Sequence, residues 1–280
     1  MKKILLAVAT YALGFTAVAQ DVTICHTSPI DKFAMFASNK EFNKSHMNPR
    51  VYTHFSDEGG EMIKFKTPDG KEANGFAIIN PKKTNNWVFV FQEWWGLNDN
   101  VKRESEKLYK DLGNVNVLAL DMYDGKIATD RETAGKYMGE FKQDRGNAII
   151  KGALAHAGAN AKIGTIGWCF GGGESMQAAL LAGNQTVACV MYYGMPEENI
   201  DRLKALSGEV LFVFAAKDKW INQDVVTKFE NNMKTAGKKL AVKKYEADHG
   251  FANPSNAIYD KNATEDAYKN SLEFLKARLK

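Results

Sequence analysis

Short apolar runs of strand length alternate with amphipathic stretches of helix length from Trp87 to the end of the chain. Continuous apolar runs are typical of strands buried on both faces, and such strands separated by helices form a parallel sheet that helices cover on both sides. The pattern therefore predicts an α/β fold in one domain, a three-layer sandwich with a mostly parallel sheet. We expect strands at 87–91, 115–120, 163–166, 187–193, 210–215 and 240–245, and helices at 99–112, 130–157, 173–183, 222–236 and 260–279.

A β-hairpin is expected before this alternating region. Two strand-like segments, Glu61 to Thr67 and Ala73 to Ile79, are joined by Pro68-Asp69-Gly70. Proline fixes one backbone torsion angle of a turn, and glycine tolerates the left-handed conformation that a tight turn needs. The folded domain is therefore predicted to span residues 61–280, with the hairpin at its N-terminal end.

The first nineteen residues have the composition of a secretory signal peptide. Lys2 and Lys3 precede an apolar run from Ile4 to Phe15, and Ala17-Val18-Ala19 is a small-residue cleavage site. A buried helix or a membrane anchor is the alternative, but the run is short for the roughly 30 Å of a bilayer's hydrocarbon core. We therefore predict that residues 1–19 are removed, that the protein is exported to the periplasm or secreted, and that it has no membrane association after cleavage.

A polar arm, residues 20–60, separates the signal peptide from the domain. Asn, Ser, Lys and His residues are scattered through it without a clear period. We expect an extended arm or an irregular cap, and its sequence alone indicates no function.

The charge and cysteine content exclude several classes of function. The chain has 37 basic and 33 acidic residues, a formal net charge of +4, and no basic block that would bind nucleic acid. Its three cysteines, Cys25, Cys169 and Cys189, form no C-x-x-C pair, and no H-E-x-x-H motif occurs. We therefore expect no metal site and no cofactor. A disulfide between Cys25 and Cys189 is left open.

A candidate nucleophile follows the predicted strand at 163–166. The segment Gly167-Trp168-Cys169-Phe170-Gly171 stands between that strand and a predicted helix. This is the G-x-nucleophile-x-G pattern of a sharp strand-to-helix turn, with cysteine as the nucleophile. Flanking glycines relieve crowding there, and the helix N-terminus favours a thiolate. The alternative is a buried core cysteine before a glycine-rich helix start.

His249 and Asp218 occupy the positions expected for the base and for the acid that orients it. Ligands of α/β sheets bind beyond the carboxyl ends of the strands. Asp218 follows the strand at 210–215 and His249 the strand at 240–245, so the chain order is nucleophile, acid, histidine. Asp248 is a competing acid, but its adjacency to His249 in sequence places it poorly to reach the ring.

A carboxylate and an oxyanion-hole amide are expected in the segment Gln92 to Gly96, directly after the strand at 87–91. Oxyanion holes of this kind combine the amide after the nucleophile with one from this early loop, so we assign the amides of Phe170 and Trp94. Glu93 would oppose thiolate formation by like-charge repulsion while offering the thiol a hydrogen-bond acceptor. It is therefore either a regulator of the thiol or a charge at a helix N-terminus.

Four features together resemble the dienelactone hydrolase family over roughly Glu61 to the C-terminus. The resemblance implies an α/β-hydrolase fold and a triad of Cys169, His249 and Asp218 that cleaves an ester or lactone through an acyl-enzyme. It also implies that Glu93 holds the resting thiol and is displaced when substrate binds. The four features are Gln92-Glu93 with Gly96, the motif Gly167-Trp168-Cys169-Phe170-Gly171-Gly172, Asp218 in its loop, and His249-Gly250-Phe251.

The chain departs from this family at the residues that would hold a substrate carboxylate. Asn253 stands four residues after His249, where an arginine is expected, and the segment Asp121 to Lys126 lacks a second one. A dicarboxylate substrate is therefore not expected. Aromatic residues at the strand ends favour a flat or apolar substrate, unless they only fill the core. The predicted pocket consists of Trp95, Tyr123, Trp168, Trp220 and Asn253.

These features predict a secreted, monomeric hydrolase of small-molecule esters or lactones. The alternative is a ligand-binding relative that kept the fold but catalyses weakly or not at all. A thiol redox protein is a third possibility, which the lack of a visible resolving cysteine disfavours.

Overall fold

The computed structural model describes residues 28–50 and 52–280, so the predicted signal peptide and Cys25 lie outside the described residues. The strands within these ranges form one sheet. They are β1 (Glu61–Lys66), β2 (Glu72–Ile78), β3 (Asn86–Phe91), β4 (Asn116–Leu120), β5 (Lys162–Trp168), β6 (Thr186–Tyr192), β7 (Glu209–Ala215) and β8 (Leu240–Tyr245).

The sheet is mostly parallel, as the alternating pattern predicts. Its strand order is β1-β2-β4-β3-β5-β6-β7-β8. Strands β3 to β8 pair in parallel, and β2 is antiparallel to both β1 and β4. Every residue of β3 and β4 is buried, which explains why these strands have no polar alternation. The predicted hairpin is confirmed, and Gly70 in its turn has a φ of 80°.

Helices cover both faces of the sheet, and the expected α/β-hydrolase sandwich is confirmed. None of the helices in the described ranges is long and apolar enough to cross a bilayer. The helices are α1 (Pro29–Ala34), α2 (Lys40–Ser45), α3 (Asp99–Leu112), α4 (Arg131–Glu140), α5 (Gln143–Ala157), α6 (Phe170–Ala182), α7 (Ile200–Lys204), α8 (Gln223–Thr235) and α9 (Lys261–Arg278).

The helix expected at 130–157 is two helices, α4 and α5. The backbone leaves the helical conformation at Phe141, which has a φ of −59° and a ψ of 139°. The Phe141 ring packs edge-on against Phe170, with ring centroids 4.9 Å apart, and also contacts Tyr123. A contact with residues distant in sequence therefore stabilises the break that follows Gly139.

The segment that the sequence predicts as a polar arm contains two short helices from residue 28 onward. Ser28 caps α1 by accepting a hydrogen bond from the Asp31 amide, and Asn39 caps α2 by accepting from the amides of Glu41 and Phe42. Ile30, Phe33 and Phe42 are buried. We call residues 28–50 the cap segment, because its apolar side chains cover the carboxyl ends of the strands.

A buried carboxyl group on α6 makes the stability of the fold depend on pH. Glu174 is fully buried, its Oε2 accepts a 3.4 Å hydrogen bond from Gln143, and burial raises its pKa to about 8. The unfolded chain loses this proton near pH 4.5 and the folded protein keeps it, so the free energy of unfolding falls as pH rises from about 4.5 to 8.

We expect Glu174→Gln to remove this pH dependence. At pH 9 the variant should be more stable than the wild type by about 1–3 kcal/mol, because it no longer buries a carboxylate. Urea unfolding at pH 5.5 and pH 9 measures the effect, with the exposed Glu230→Gln as the matched control. An equal difference between Glu174→Gln and the wild type at both pH values would contradict the prediction.

Candidate active site

Cys169 lies at the turn between β5 and α6 with a strained backbone. Its φ is 58° and its ψ is −120°, a combination that an L-residue rarely adopts and that costs about 1–3 kcal/mol. The amide of Cys169 donates a 3.0 Å hydrogen bond to the carbonyl of Tyr192 on β6. This bond holds the turn against the sheet, and the side chain lies at the N-terminus of α6.

Two glycines allow the chain to turn this sharply. A Cβ on Gly167 would lie 2.0 Å from the carbonyl oxygen of Gly171, and one on Gly171 would lie 2.3 Å from the carbonyl oxygen of Gln92. Both distances are far below a van der Waals contact. The glycines of the predicted motif are therefore required by close backbone packing of α6 against β3 and β5.

The structure brings His249 and Asp218 to the Cys169 sulfur. His249 Nε2 is 3.3 Å from Cys169 Sγ, and His249 Nδ1 is 2.6 Å from Asp218 Oδ2. The other oxygen of Asp218 accepts hydrogen bonds from the amides of Trp220 and Ile221, so the carboxylate is fixed. The competing acid Asp248 is exposed. Three residues from three strand ends thus form one continuous chain of contacts.

Burial and charge act in opposite directions on this pair. Burial alone would lower the pKa of His249, but the Asp218 carboxylate and the Cys169 sulfur outweigh it and hold the pKa well above its usual value. Burial raises the pKa of the Cys169 thiol, which the His249 charge and the Phe170 amide partly counteract. One proton therefore lies between Sγ and Nε2, and Asp218 favours its transfer to the imidazole.

Glu93 contacts Asn253 and not the thiol in this conformation. Asn253 Nδ2 donates a 2.5 Å hydrogen bond to Glu93 Oε2. Burial raises the pKa of Glu93 to about 7, although Asn253 and the charge of His249 oppose the shift. The negative charge of Glu93 in turn raises the Cys169 pKa. Asn253, which stands where the resemblance implies an arginine, is therefore the hydrogen-bond partner of a carboxyl group whose charge acts on Cys169.

The expected pocket residues divide between three places. Trp95, Trp168 and Asn253 line a cavity of about 220 Å³ that also reaches Glu93. Tyr123 lines a different cavity and packs against Phe170, with ring centroids 5.3 Å apart. Trp220 packs against the cap segment and against the His249 ring. The structure thus places three of the five residues in one cavity next to Glu93.

The cap segment supplies site residues that the sequence analysis missed. Phe33, Phe42 and His46 surround the His249 ring, with centroid distances of 6.1, 5.6 and 5.5 Å. Under this cover, Cys169 and His249 are each only 1% exposed. The local signals were the helix-start residues Ser28-Pro29 and Asn39, which mark short capped helices in a segment without periodicity.

His46 is neutral and has a defined tautomer. Burial and the nearby charge of His249 lower its pKa to about 3. Its Nδ1 is 2.8 Å from the carbonyl oxygen of Phe42, which can only accept, so Nδ1 carries the hydrogen. Nε2 therefore carries a lone pair, and this buried atom has no hydrogen-bond partner in the described part of the chain.

The close backbone approach at the turn between β5 and α6 can be tested with matched glycine substitutions. Gly167→Ala should lower the free energy of unfolding by about 1–3 kcal/mol or more, because the added methyl group overlaps the Gly171 backbone. Gly139→Ala on α4 is the control, since its Cβ meets only the Ala37 methyl at 3.8 Å. The control should stabilise the protein by about 0.5–1 kcal/mol. Urea unfolding of both variants measures these changes. If Gly167→Ala were as stable as the wild type, this account would be refuted.

Comparisons with known proteins identify the family of the chain. The model of the dienelactone hydrolase family matches residues 74–279. Protein usf of Aquifex pyrophilus is 29% identical over 233 residues, which is 79% of this chain and 99% of that protein. A carboxymethylenebutenolidase of Pseudomonas putida is 27% identical over 234 residues, 77% of this chain and 95% of that protein.

The solved structures confirm the fold. The dienelactone hydrolase-like promiscuous phosphotriesterase P91 from metagenomic libraries superimposes with a TM-score of 0.65 at 22% identity, over 78% of this chain and 98% of that one. The family match covers every strand from β3 onward and all the residues of the Cys169 site outside the cap segment. The chain therefore belongs to the dienelactone hydrolase family and is a carboxylic ester hydrolase.

Proposed function

We propose that this protein is an exported ester or lactone hydrolase in which Cys169 is the nucleophile, His249 the base and Asp218 the orienting acid. The observation that carries the proposal is the continuous chain of contacts from Sγ through the imidazole to the carboxylate. A nucleophile, a base and an orienting group within hydrogen-bond reach are the geometry that covalent catalysis requires.

In the first half of the reaction, Cys169 Sγ attacks the carbonyl carbon of the substrate. The proton shared with His249 moves to Nε2 as the C–S bond forms, and the carbonyl oxygen becomes an oxyanion. The amides of Phe170 and Trp94 hold this oxyanion, and one well-placed donor of this kind contributes about 3–4 kcal/mol to the rate. His249 then donates the proton to the leaving oxygen, and a thioester of Cys169 remains.

In the second half, water cleaves the thioester. His249 Nε2 accepts a proton from the water as its oxygen attacks the carbonyl carbon, and returns it to the sulfur when the acid leaves. Throughout, Asp218 accepts the Nδ1 hydrogen of His249 at 2.6 Å and so keeps Nε2 turned toward the sulfur. Two backbone amides and the imidazolium stabilise the negative charge of the Asp218 carboxylate.

Glu93 is proposed to regulate the thiol. Glu93 lines the cavity, and its carboxyl group raises the pKa of Cys169 when it is charged. The Asn253 amide holds it in the present position. A substrate that displaces Asn253 or neutralises Glu93 would therefore make the thiolate easier to form.

The side chain at position 253 favours an ester without a carboxylate at that point of the cavity. The cavity walls include the aromatic residues Trp95, Trp168 and Tyr268 and the cations Arg103 and Lys107, and Asn253 stands where an arginine is expected. An amide offers hydrogen bonds but no positive charge or bidentate guanidinium to a carboxylate. We therefore propose that the substrate presents a flat or apolar group to this cavity.

The role of Cys169 is tested by comparing Cys169→Ala with Cys189→Ala on activated aryl esters. Loss of the nucleophile should lower kcat by about 1,000-fold or more. Cys189 is buried on β6, away from this site, with its sulfur 3.6 Å from Ser175 Oγ, so Cys189→Ala should keep the activity. Mass spectrometry of the quenched reaction should find an acyl group on Cys169. Equal turnover by Cys169→Ala and the wild type would refute the assignment.

One observation favours the alternative of a ligand-binding relative. The catalytic thiol and imidazole are 1% exposed beneath the cap segment, so a substrate needs movement of the cap segment or of Glu93 to reach Sγ. A binding protein would be stabilised by an ester or its acid in thermal unfolding without hydrolysing any ester of a panel. Detection of an acyl group on Cys169 would show that the protein is a hydrolase and not only a binding protein.

Export is proposed from the sequence of the first nineteen residues. Expression of the full chain in a bacterium with an outer membrane should yield a periplasmic or secreted protein whose N-terminus is Gln20. Intact-mass measurement of the exported fraction checks the cleavage site. Lys2→Glu with Lys3→Glu should reduce export, because the positive region is lost. An uncleaved protein that stays in the cytoplasm would contradict the proposal.

A further inference from the structure

His46 carries an unused lone pair on Nε2, and its ring centroid lies 5.5 Å from that of His249. The imidazole is 3% exposed and packs against Trp94, with ring centroids 4.7 Å apart. Its Nδ1 hydrogen is donated to the Phe42 carbonyl at 2.8 Å, and the buried Nε2 atom has no hydrogen-bond partner among residues 28–50 and 52–280. Burying a hydrogen-bond acceptor without a partner is unfavourable, and a ligand bound to this atom would remove that cost.

Three potential ligand atoms converge at this point. One ring nitrogen of His46, Cys169 Sγ and one ring nitrogen of His249 all lie within 4.8 Å of one another, and the distance from Cys169 Sγ to His249 Nε2 is 3.3 Å. A tetrahedral zinc ion with Zn–S of about 2.3 Å and Zn–N of about 2.0–2.1 Å needs ligand atoms roughly 3.4–3.6 Å apart. A small movement of His46 therefore completes three positions of a tetrahedral site.

Both imidazoles also have the outer partners typical of metal-binding histidines. A histidine that binds a metal usually donates its other N–H to a carboxylate or a backbone carbonyl, which fixes the tautomer and the ring. The Nδ1 atom of His249 is 2.6 Å from Asp218 Oδ2, and that of His46 is 2.8 Å from the Phe42 carbonyl. Both Nε2 atoms are thus held ready as ligands.

We propose that the closed active site binds one thiophilic divalent cation, such as Zn²⁺, through Cys169 Sγ, His249 Nε2 and His46 Nε2. The proton shared by Sγ and His249 Nε2 leaves to solvent as the metal bonds form, so one proton is released per ion. The charge of the ion is then balanced by the thiolate and by the Asp218 carboxylate behind His249. A water or an anion can fill the fourth position.

The donor set determines which cations fit. A thiolate with two imidazoles suits Zn²⁺, Co²⁺ or Cd²⁺, whereas Mg²⁺ and Ca²⁺ prefer oxygen ligands. The bound ion would occupy the lone pairs of the nucleophile and of the base, and would connect the cap segment to the catalytic loops. Metal binding therefore inhibits the hydrolysis reversibly and holds the cap segment closed.

This proposal explains why a histidine of the cap segment contacts the catalytic centre. Hydrolysis as described above uses Cys169, His249 and Asp218 and has no step for His46. The metal site does not depend on whether Cys169 is the nucleophile, because its test measures binding and not turnover. The two proposals can therefore fail separately.

The first experiment titrates the metal-free full chain with Co²⁺ and Zn²⁺. One equivalent of Co²⁺ should produce a near-ultraviolet thiolate-to-metal charge-transfer band, one equivalent of Zn²⁺ should remove it, and Mg²⁺ should have no effect. The wild type should also gain thermal stability with Zn²⁺. No band and no stabilisation in the wild type would overturn the proposal.

Variants then assign the ligands. His46→Gln should weaken Zn²⁺ binding at least about 10-fold, since loss of an outer partner alone costs about 10–100-fold. Cys169→Ser should abolish the charge-transfer band. His156→Gln, an exposed histidine on α5, is the matched control and should bind Zn²⁺ like the wild type. Unchanged affinity in His46→Gln would refute the assignment.

A measurement on the wild type removes the risk that His46→Gln simply misfolds. Crystals grown with Zn²⁺ should show an anomalous peak about 2.0–2.3 Å from the three ligand atoms. A peak at another site, with none at these atoms, would overturn the proposal independently of any variant.

Discussion

The close packing of backbone on backbone around Cys169 is the constraint on which the site depends. Gly167 and Gly171 let the start of α6 lie against β3 and β5 at distances that a Cβ could not tolerate. This packing forces Cys169 into a left-handed φ and turns its side chain out at the sheet edge. The turn therefore fixes the Phe170 amide and the Cys169 sulfur relative to each other. The loops after β7 and β8, which carry Asp218 and His249, meet the sulfur at this fixed position.

The electrostatics of the site follow from burial as much as from its charges. Separating a proton from Cys169 in a buried site is unfavourable, and His249 compensates because the cation and the anion form together in contact. Asp218 is rigidly solvated by two backbone amides, whereas Glu93 has only a side-chain amide and a pKa near 7. The pKa of Glu93 is therefore raised by a burial that one side-chain amide does not offset.

Much of the architecture was predictable because it follows from local patterns. The apolar runs give the strands, and the ends of parallel strands share one edge, so Cys169, Asp218 and His249 could be placed together without coordinates. The break at Phe141 was not predictable, because its cause is a ring contact with Phe170. A single sequence carries no signal for such a contact.

The helices of the cap segment could not be predicted from the sequence pattern either. Helices of six residues present too few positions for a hydrophobic period, so their burial is decided by contacts far along the chain. In the sequence, His46 is one of several scattered polar residues. In the structure its ring centroid lies 5.5 Å from that of His249, which is about two hundred residues away along the chain. Sequence patterns could place His249 but could not bring His46 to it.

Access to the thiol links the cap segment to specificity. The cavity that reaches Glu93 is lined by Pro49 of the cap segment and by Asn253 of the loop that carries His249. Movement of the cap segment would therefore change the cavity wall and uncover the catalytic loop at once. Since Phe33, Phe42 and His46 contact the His249 ring directly, any ligand that stabilises the closed cap segment also restrains this ring. Entry of substrate and freedom of the imidazole are thus coupled through the same set of ring contacts.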